Sequence, residues 1–116
     1  MAKALMVVGS NPTSPEQEDE YHRWYVDDHF PDVLRVAGFQ RARRYALSDV
    51  RPVAAIEASP YRYLALYEVE ADDLAKVAAD LQAAIDGGEV RMSETLDFSN
   101  FSIDFYALMP DSEVSA

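Results

Sequence analysis

Few folds suit the order in which the apolar residues of this chain change their spacing. Residues 5–8 are apolar throughout, as in a strand buried on both faces. Residues 39–47 alternate: Phe39, Arg41, Arg43, Tyr45 and Leu47 fall on one side, and Gln40, Ala42, Arg44 and Ala46 on the other. Residues 61–70 alternate most clearly, with Tyr61, Tyr63, Ala65, Tyr67 and Val69 opposite Arg62, Leu64, Leu66 and Glu68. Residues 101–109 put Phe101, Ile103, Phe105, Ala107 and Met109 on one face. Between these stretches the spacing turns helical. Tyr21, Trp24 and Tyr25 sit at i, i+3 and i+4, and Leu74, Val77, Ala78, Leu81 and Ile85 form a second stripe.

Turn and cap residues mark the divisions. Gly9-Ser10-Asn11-Pro12 breaks the first strand. Ser14 reads as the N-cap of the first helix, Pro15 as its first residue and Gln17 as a capping-box partner. Glu16, Glu18, Asp19 and Glu20 suit the positive end of that helix. Pro31 predicts a stop near His29 or Phe30. Asp72 and Asp73 open the second helix, and Gly87-Gly88 closes it. The order is β-α-β-β-α-β: an α+β, ferredoxin-like fold, with a four-stranded antiparallel sheet and two helices on one face. The other face is too apolar to stand open, which predicts a homodimer closed into an α/β barrel. Residues 1–109 then form one domain and residues 110–116 a flexible tail. The connections 48–60 and 89–100 have the length of lids, binding loops or dimer contacts.

Charge and composition narrow the partners. The net charge of −11 repels phosphate backbones and anionic membrane surfaces, so neither nucleic acid nor membrane is expected. The chain has no cysteine, which excludes disulfides, thiolate catalysis and thiolate metal sites. The apolar run at residues 4–8 is too short for a signal core or a membrane span, and a cytoplasmic location is expected. Neither GxGxxG, a P-loop, G-x-S-x-G nor HExxH occurs.

Polar chemistry concentrates at residues 21–34, where two histidines and three aspartates share one helix end with aromatic residues. His29, at the helix C-terminus, is suited to proton transfer; a packing histidine that holds the turn is the alternative. His22 lies about 10.5 Å along the helix axis from it, too far for a shared metal, and reads as a surface residue or a second proton relay. No metal site is expected. Asp27 and Asp28 read as solvated, and Asp32 as a cap on the next turn. Trp24 and Tyr25 read as core residues or as ligand-stacking ones, and their density suits an apolar, aromatic-tolerant pocket. Arg43, Arg44 and Tyr45 share a strand, with Arg44 facing away from the other two; an arginine here binds a carboxylate or phenolate, or pairs with an acid of the chain. Tyr61, Tyr63 and Tyr67 either donate to a developing enolate or pack against a partner subunit.

The run Trp24-Tyr25-x-x-x-His29-Phe30-Pro31-Asp32-x-Leu34, followed by Val36-x-Gly38-Phe39 and Arg43-Arg44-Tyr45, resembles the EthD-like group of the dimeric α/β-barrel superfamily. The resemblance covers roughly residues 3–109 by element order, with its motifs in residues 21–45. It implies a homodimer with a small pocket between helices and sheet in each subunit, and an acid/base role for His29. Relatives in the wider superfamily include cyclases, dehydratases, isomerases, cofactor-free monooxygenases and haem-degrading enzymes. The expected function is therefore a cofactor-independent lyase or isomerase moving a proton beside a carbonyl of a hydrophobic or aromatic small molecule. His29, Tyr67 and Arg44 would be catalytic, and Trp24, Tyr25, His22, Phe30 and Tyr45 would bind substrate. The alternatives are a non-catalytic small-molecule-binding dimer beside an oxygenase pathway, and a monooxygenase.

Overall fold

A computed structural model of the chain describes residues 2–116. Strands β1 (Ala2–Ser10), β2 (Phe39–Ala46), β3 (Tyr63–Ala71) and β4 (Ser102–Ala107) form one antiparallel sheet in the order β2-β3-β1-β4. Helix α1 (Glu18–Trp24) continues through a π turn (Tyr25–His29) into α2 (Phe30–Leu34), and α3 (Leu74–Asp86) connects β3 to the last strand. This is the ferredoxin-like α+β arrangement expected from the apolar spacing.

Register decides which residues meet the helices. Met6 pairs with Tyr67 and Phe105, and Val8 with Ala65 and Ile103. Side-chain alternation therefore puts Met6, Val8, Ala65, Tyr67 and Val69 under the helices, where all five are buried. They pack with Tyr21, Trp24, Tyr25, Phe30 and Val33 in one core. Each large apolar side chain removed from water there contributes about 1.5–3 kcal/mol. Leu5, Val7, Leu64, Leu66, Glu68 and Tyr106 point to the other, uncovered face. Residues 5–8 are thus not buried on both faces: Leu5 is 37% exposed, because among the described residues no helix covers its side of the sheet.

Three local expectations give way to packing. Phe39 does not share a face with Arg41. A bulge at this point lets Phe39 pair with Val69 and Arg41 with Glu68, which turns Phe39 into the core. Pro31 does not end the first helix. The π turn carries the Phe30 N–H back to the Tyr25 carbonyl, and the wider turn accepts a residue that lacks an N–H and would crowd the carbonyl four residues back. Ser14 makes no side-chain cap, since a 3₁₀ turn begins there and Gln17 N–H bonds the Ser14 carbonyl at 3.1 Å.

Gly9 and Ser10 do not break β1 but end it as paired residues opposite Leu64 and Tyr63, whereas α3 starts where Asp72 and Asp73 predict. Asp73 caps α3 by accepting from the backbone N–H groups of Ala75 (3.0 Å) and Lys76 (3.4 Å), a contribution of about 1 kcal/mol. Gly38 turns the chain from α2 into β2 with φ +102°, and a Cβ there would lie 3.0 Å from Cγ2 of Val77. Among the described residues no helix is long and apolar enough to cross a membrane.

Candidate active site

The helices and the sheet enclose a cavity of about 60 Å³. Its walls are apolar, with Met6, Val8, Val33, Leu81 and Ile85 among them, and its polar groups come from Tyr25, His29 and Tyr67. Met92, Phe98, Phe101 and Ile103, each partly exposed, form the solvent side. Phe98 and Phe101 meet edge to face, with centroids 5.8 Å apart.

His29 leaves the π turn with only 9% of its surface exposed. Its Nδ1 lies 3.2 Å from the Arg91 carbonyl. A carbonyl only accepts, so Nδ1 carries the hydrogen, and the lone pair of the neutral ring is on Nε2. The Trp24 ring lies over the imidazole at 4.5 Å, and its Nε1–H donates to the same carbonyl at 3.0 Å. Burial pulls the His29 pKa below the ordinary histidine value, outweighing the upward pull of the Arg91 carbonyl and Asp32. The ring is therefore neutral, and basic at Nε2, near pH 7.

Tyr67 is fully buried on β3, and its hydroxyl has no hydrogen-bond partner among the described residues. Burial raises its pKa well above the usual phenol value, so it remains a donor. Burial likewise pushes the Tyr25 phenol up to about 12. The Phe30 ring packs on Tyr67 at 5.2 Å. Behind the cavity, Ser10 on β1 shares its hydroxyl with Tyr21 (2.7 Å) and Tyr25 (3.5 Å). Arg44 enters beside them from β2, its guanidinium 4.3 Å from the Tyr25 ring centroid. Arg44 Nη1 donates to Nδ1 of His22 at 2.7 Å, which puts the imidazole hydrogen of His22 on Nε2. Burial and the Arg44 charge lower the His22 pKa. The Nε and Nη2 atoms of Arg44 are buried and unpaired among the described residues.

The structure thus brings Tyr25, His29 and Tyr67 to one cavity, with Trp24 and Phe30 backing their rings. Arg44 and His22 stand behind Tyr25 rather than at the cavity wall. Tyr45 does not join them. It pairs with Leu64 on the uncovered sheet face and is 45% exposed, because strand alternation turns it away from Arg44. Tyr63 and Tyr67 face the helices rather than the open face where a partner would pack. Asp32 does not cap a turn with its side chain; it binds Arg91 and Arg35. Sequence reading missed Arg91, Ser10 and Tyr21. A buried Asp32 needs a cation, but ten Lys and Arg residues compete for that place, and Arg91 lies in a stretch without periodicity.

The connection 48–60 does not line this cavity, whereas Met92, Leu96 and Phe98 of 89–100 do. A wider groove of about 580 Å³ lies elsewhere, on the uncovered face between Leu5, Arg41, Glu68, Tyr106 and Met109, and holds no histidine.

A βαββαβ chain with a histidine-bearing cavity between helices and sheet has the fold of the EthD-like, ferredoxin-like α/β proteins. HapK from Hahella chejuensis superposes with TM-score 0.61 at 14% identity, over 97% of each chain. An ethyl tert-butyl ether D (EthD) family protein from Bacillus halodurans C-125 gives TM-score 0.56 at 11% identity, over 94% of this chain and 100% of that one. A Shewanella loihica PV-4 protein provisionally described as a monooxygenase gives TM-score 0.56 at 12% identity, over 93% of this chain and 95% of that one. At such identities the likeness is one of fold. No protein-family model and no curated protein matches the chain.

Proposed function

We propose that the protein is a cofactor-independent enzyme of the lyase or isomerase type, acting on a hydrophobic or aromatic small molecule that carries a carbonyl. The observation that carries the reading is the pairing, in one apolar cavity, of a neutral imidazole with its lone pair on Nε2 and a buried phenol that donates to no group among the described residues. Nε2 of His29 takes a proton from the carbon beside the carbonyl. The electron pair moves onto the carbonyl oxygen, which accepts a hydrogen bond from Tyr67. Arg44, behind Tyr25, adds positive potential to that end of the site. Return of the proton to a different carbon completes an isomerisation; loss of a β-hydroxyl as water, protonated by the imidazolium, completes a dehydration. Trp24 and Phe30 keep the two reacting side chains in place.

At about 60 Å³ the cavity is far below the ~300–1,000 Å³ of ordinary ligand sites, so substrate entry displaces Met92, Phe98 and Phe101 at the rim. The mostly apolar lining, with Met6, Val8, Val33, Leu81 and Ile85, also suits a second reading, a binding module that holds its ligand unchanged.

The test is mass-spectrometric capture of ligands from a cell extract by the native protein and by His29→Gln, with each captured compound followed in time. Native protein should transform a ligand that the variant only retains. Its kcat/KM should rise with pH through an apparent pKa below that of free histidine, because the base works only when deprotonated. Equal turnover by the variant removes His29 as the base; a ligand held unchanged by both supports the binding module.

A further inference from the structure

Arg91 stands where two sets of hydrogen bonds meet. On one side the Asp32 carboxylate, 2% exposed, accepts from the Arg91 backbone N–H (2.9 Å), Nε (2.9 Å) and Nη2 (3.2 Å), and from Arg35. On the other side the carbonyl of the same residue accepts from Trp24 Nε1–H and His29 Nδ1–H. Asp28 adds an ion pair to Arg91 Nη1 at 3.4 Å. All four of these partners of Arg91 lie on one continuous helical segment, so the segment binds the loop residue from both ends of its backbone.

We propose that Asp32 and Arg91 are positioning residues that lock His29 in its Nδ1–H tautomer and thereby assign proton transfer to Nε2. The functional consequence rests on the reading of His29 as the acid/base group. A free neutral imidazole prefers its hydrogen on Nε2. The opposite tautomer is selected here by a single loop carbonyl, and a loop carbonyl turns readily unless its peptide is anchored. Asp32 supplies that anchor by fixing the N–H and the guanidinium of the residue that owns the carbonyl. The ionisable groups around the imidazole are Asp32 from α2, Asp28 and Tyr25 from the π turn, Tyr67 from β3 and Arg91 itself. Of these, none but Arg91 offers Nδ1 a hydrogen-bond partner among the described residues.

The experiment is ¹⁵N NMR of the imidazole nitrogens at neutral pH on the full chain, on Asp32→Asn and on Arg91→Ala. In the native protein His29 should show a protonated Nδ1 and a bare Nε2. In Asp32→Asn the Nε2–H form should become the major one, and the Trp24 indole proton should shift with it. Arg91→Ala keeps the backbone N–H bond to Asp32, so it should give a smaller rise in Nε2–H. A native His29 protonated on Nε2, or an Nδ1–H form unchanged in the folded variants, overturns the proposal. Should Asp32→Asn fail to fold, Arg91→Ala decides alone, since its side chain is 56% exposed and its loss leaves the main chain in place. The spectra need no substrate. A locked tautomer in a protein without turnover upholds this inference and defeats the enzymatic reading; an active enzyme whose tautomer ignores both substitutions does the reverse.

Discussion

Arg44 shows how finely a single side chain is balanced in this fold. Its guanidinium lies 4.3, 5.1 and 5.3 Å from the ring centroids of Tyr25, Tyr21 and Tyr63, and each such contact stabilises by about 0.5–2 kcal/mol. Against that, Nε and Nη2 are buried without partners among the described residues, and a buried unpaired donor costs about 1–3 kcal/mol. The two effects nearly cancel, which leaves the Nη1–H bond to His22 Nδ1, worth about 0.5–1.5 kcal/mol, as the net contribution. Arg44→Met should therefore shift the unfolding free energy by no more than about 1.5 kcal/mol, while kcat/KM falls by about tenfold or more as the site loses its positive potential. Parallel denaturant unfolding and kinetics check this. A loss of several kcal/mol with kcat/KM unchanged would make Arg44 a purely structural residue.

At the scale of elements, the decisive joint is between α2 and the chain that follows α3. Asp32 makes it, with a carboxylate that Arg91, through its guanidinium and backbone bonds, holds far below the usual carboxylate range. A depressed carboxylate stabilises the fold fully above its unfolded pKa and loses that contribution as pH falls through and below it. Asp32→Asn should accordingly lower stability near pH 7 by about 2–3 kcal/mol and flatten the decline between about pH 4 and 2. Urea titrations across that range measure both, and an unchanged acid limb would remove Asp32 as its source. The elements themselves were largely readable: alternation marked β2, β3 and β4, Asp73 opened α3, and Gly87 closed it. The π turn, the bulge before Arg41 and the Asp32–Arg91 joint were not. Each arises where tertiary packing overrides a local rule: Pro31 stays helical, Phe39 turns inward, and a loop arginine finds a buried acid. For the site, residue types gave the cluster at residues 21–34, but only the register separated Tyr67 from Tyr45.

For the whole molecule, the uncovered sheet face is the feature that bears on assembly. Leu5, Tyr45, Tyr106 and Leu108 are exposed large apolar residues on or beside it, interleaved with the Arg41–Glu68 and Arg43–Glu68 pairs at 3.6 and 3.5 Å. A homodimer that buries this face is the arrangement we propose. Sedimentation velocity should give a dimer for the native chain and a monomer for Tyr106→Glu, in which a charge replaces an exposed ring on the edge strand β4 of that face. A native monomer at micromolar concentration would reject it. Along β3 the two faces divide by parity. Tyr63, Ala65, Tyr67 and Val69 turn toward the helices, while Leu64, Leu66, Glu68 and Glu70 turn away from them. Odd positions can drift toward a new ligand while even ones conserve the outer surface, so a library confined to odd positions explores chemistry without redrawing how the molecule meets others.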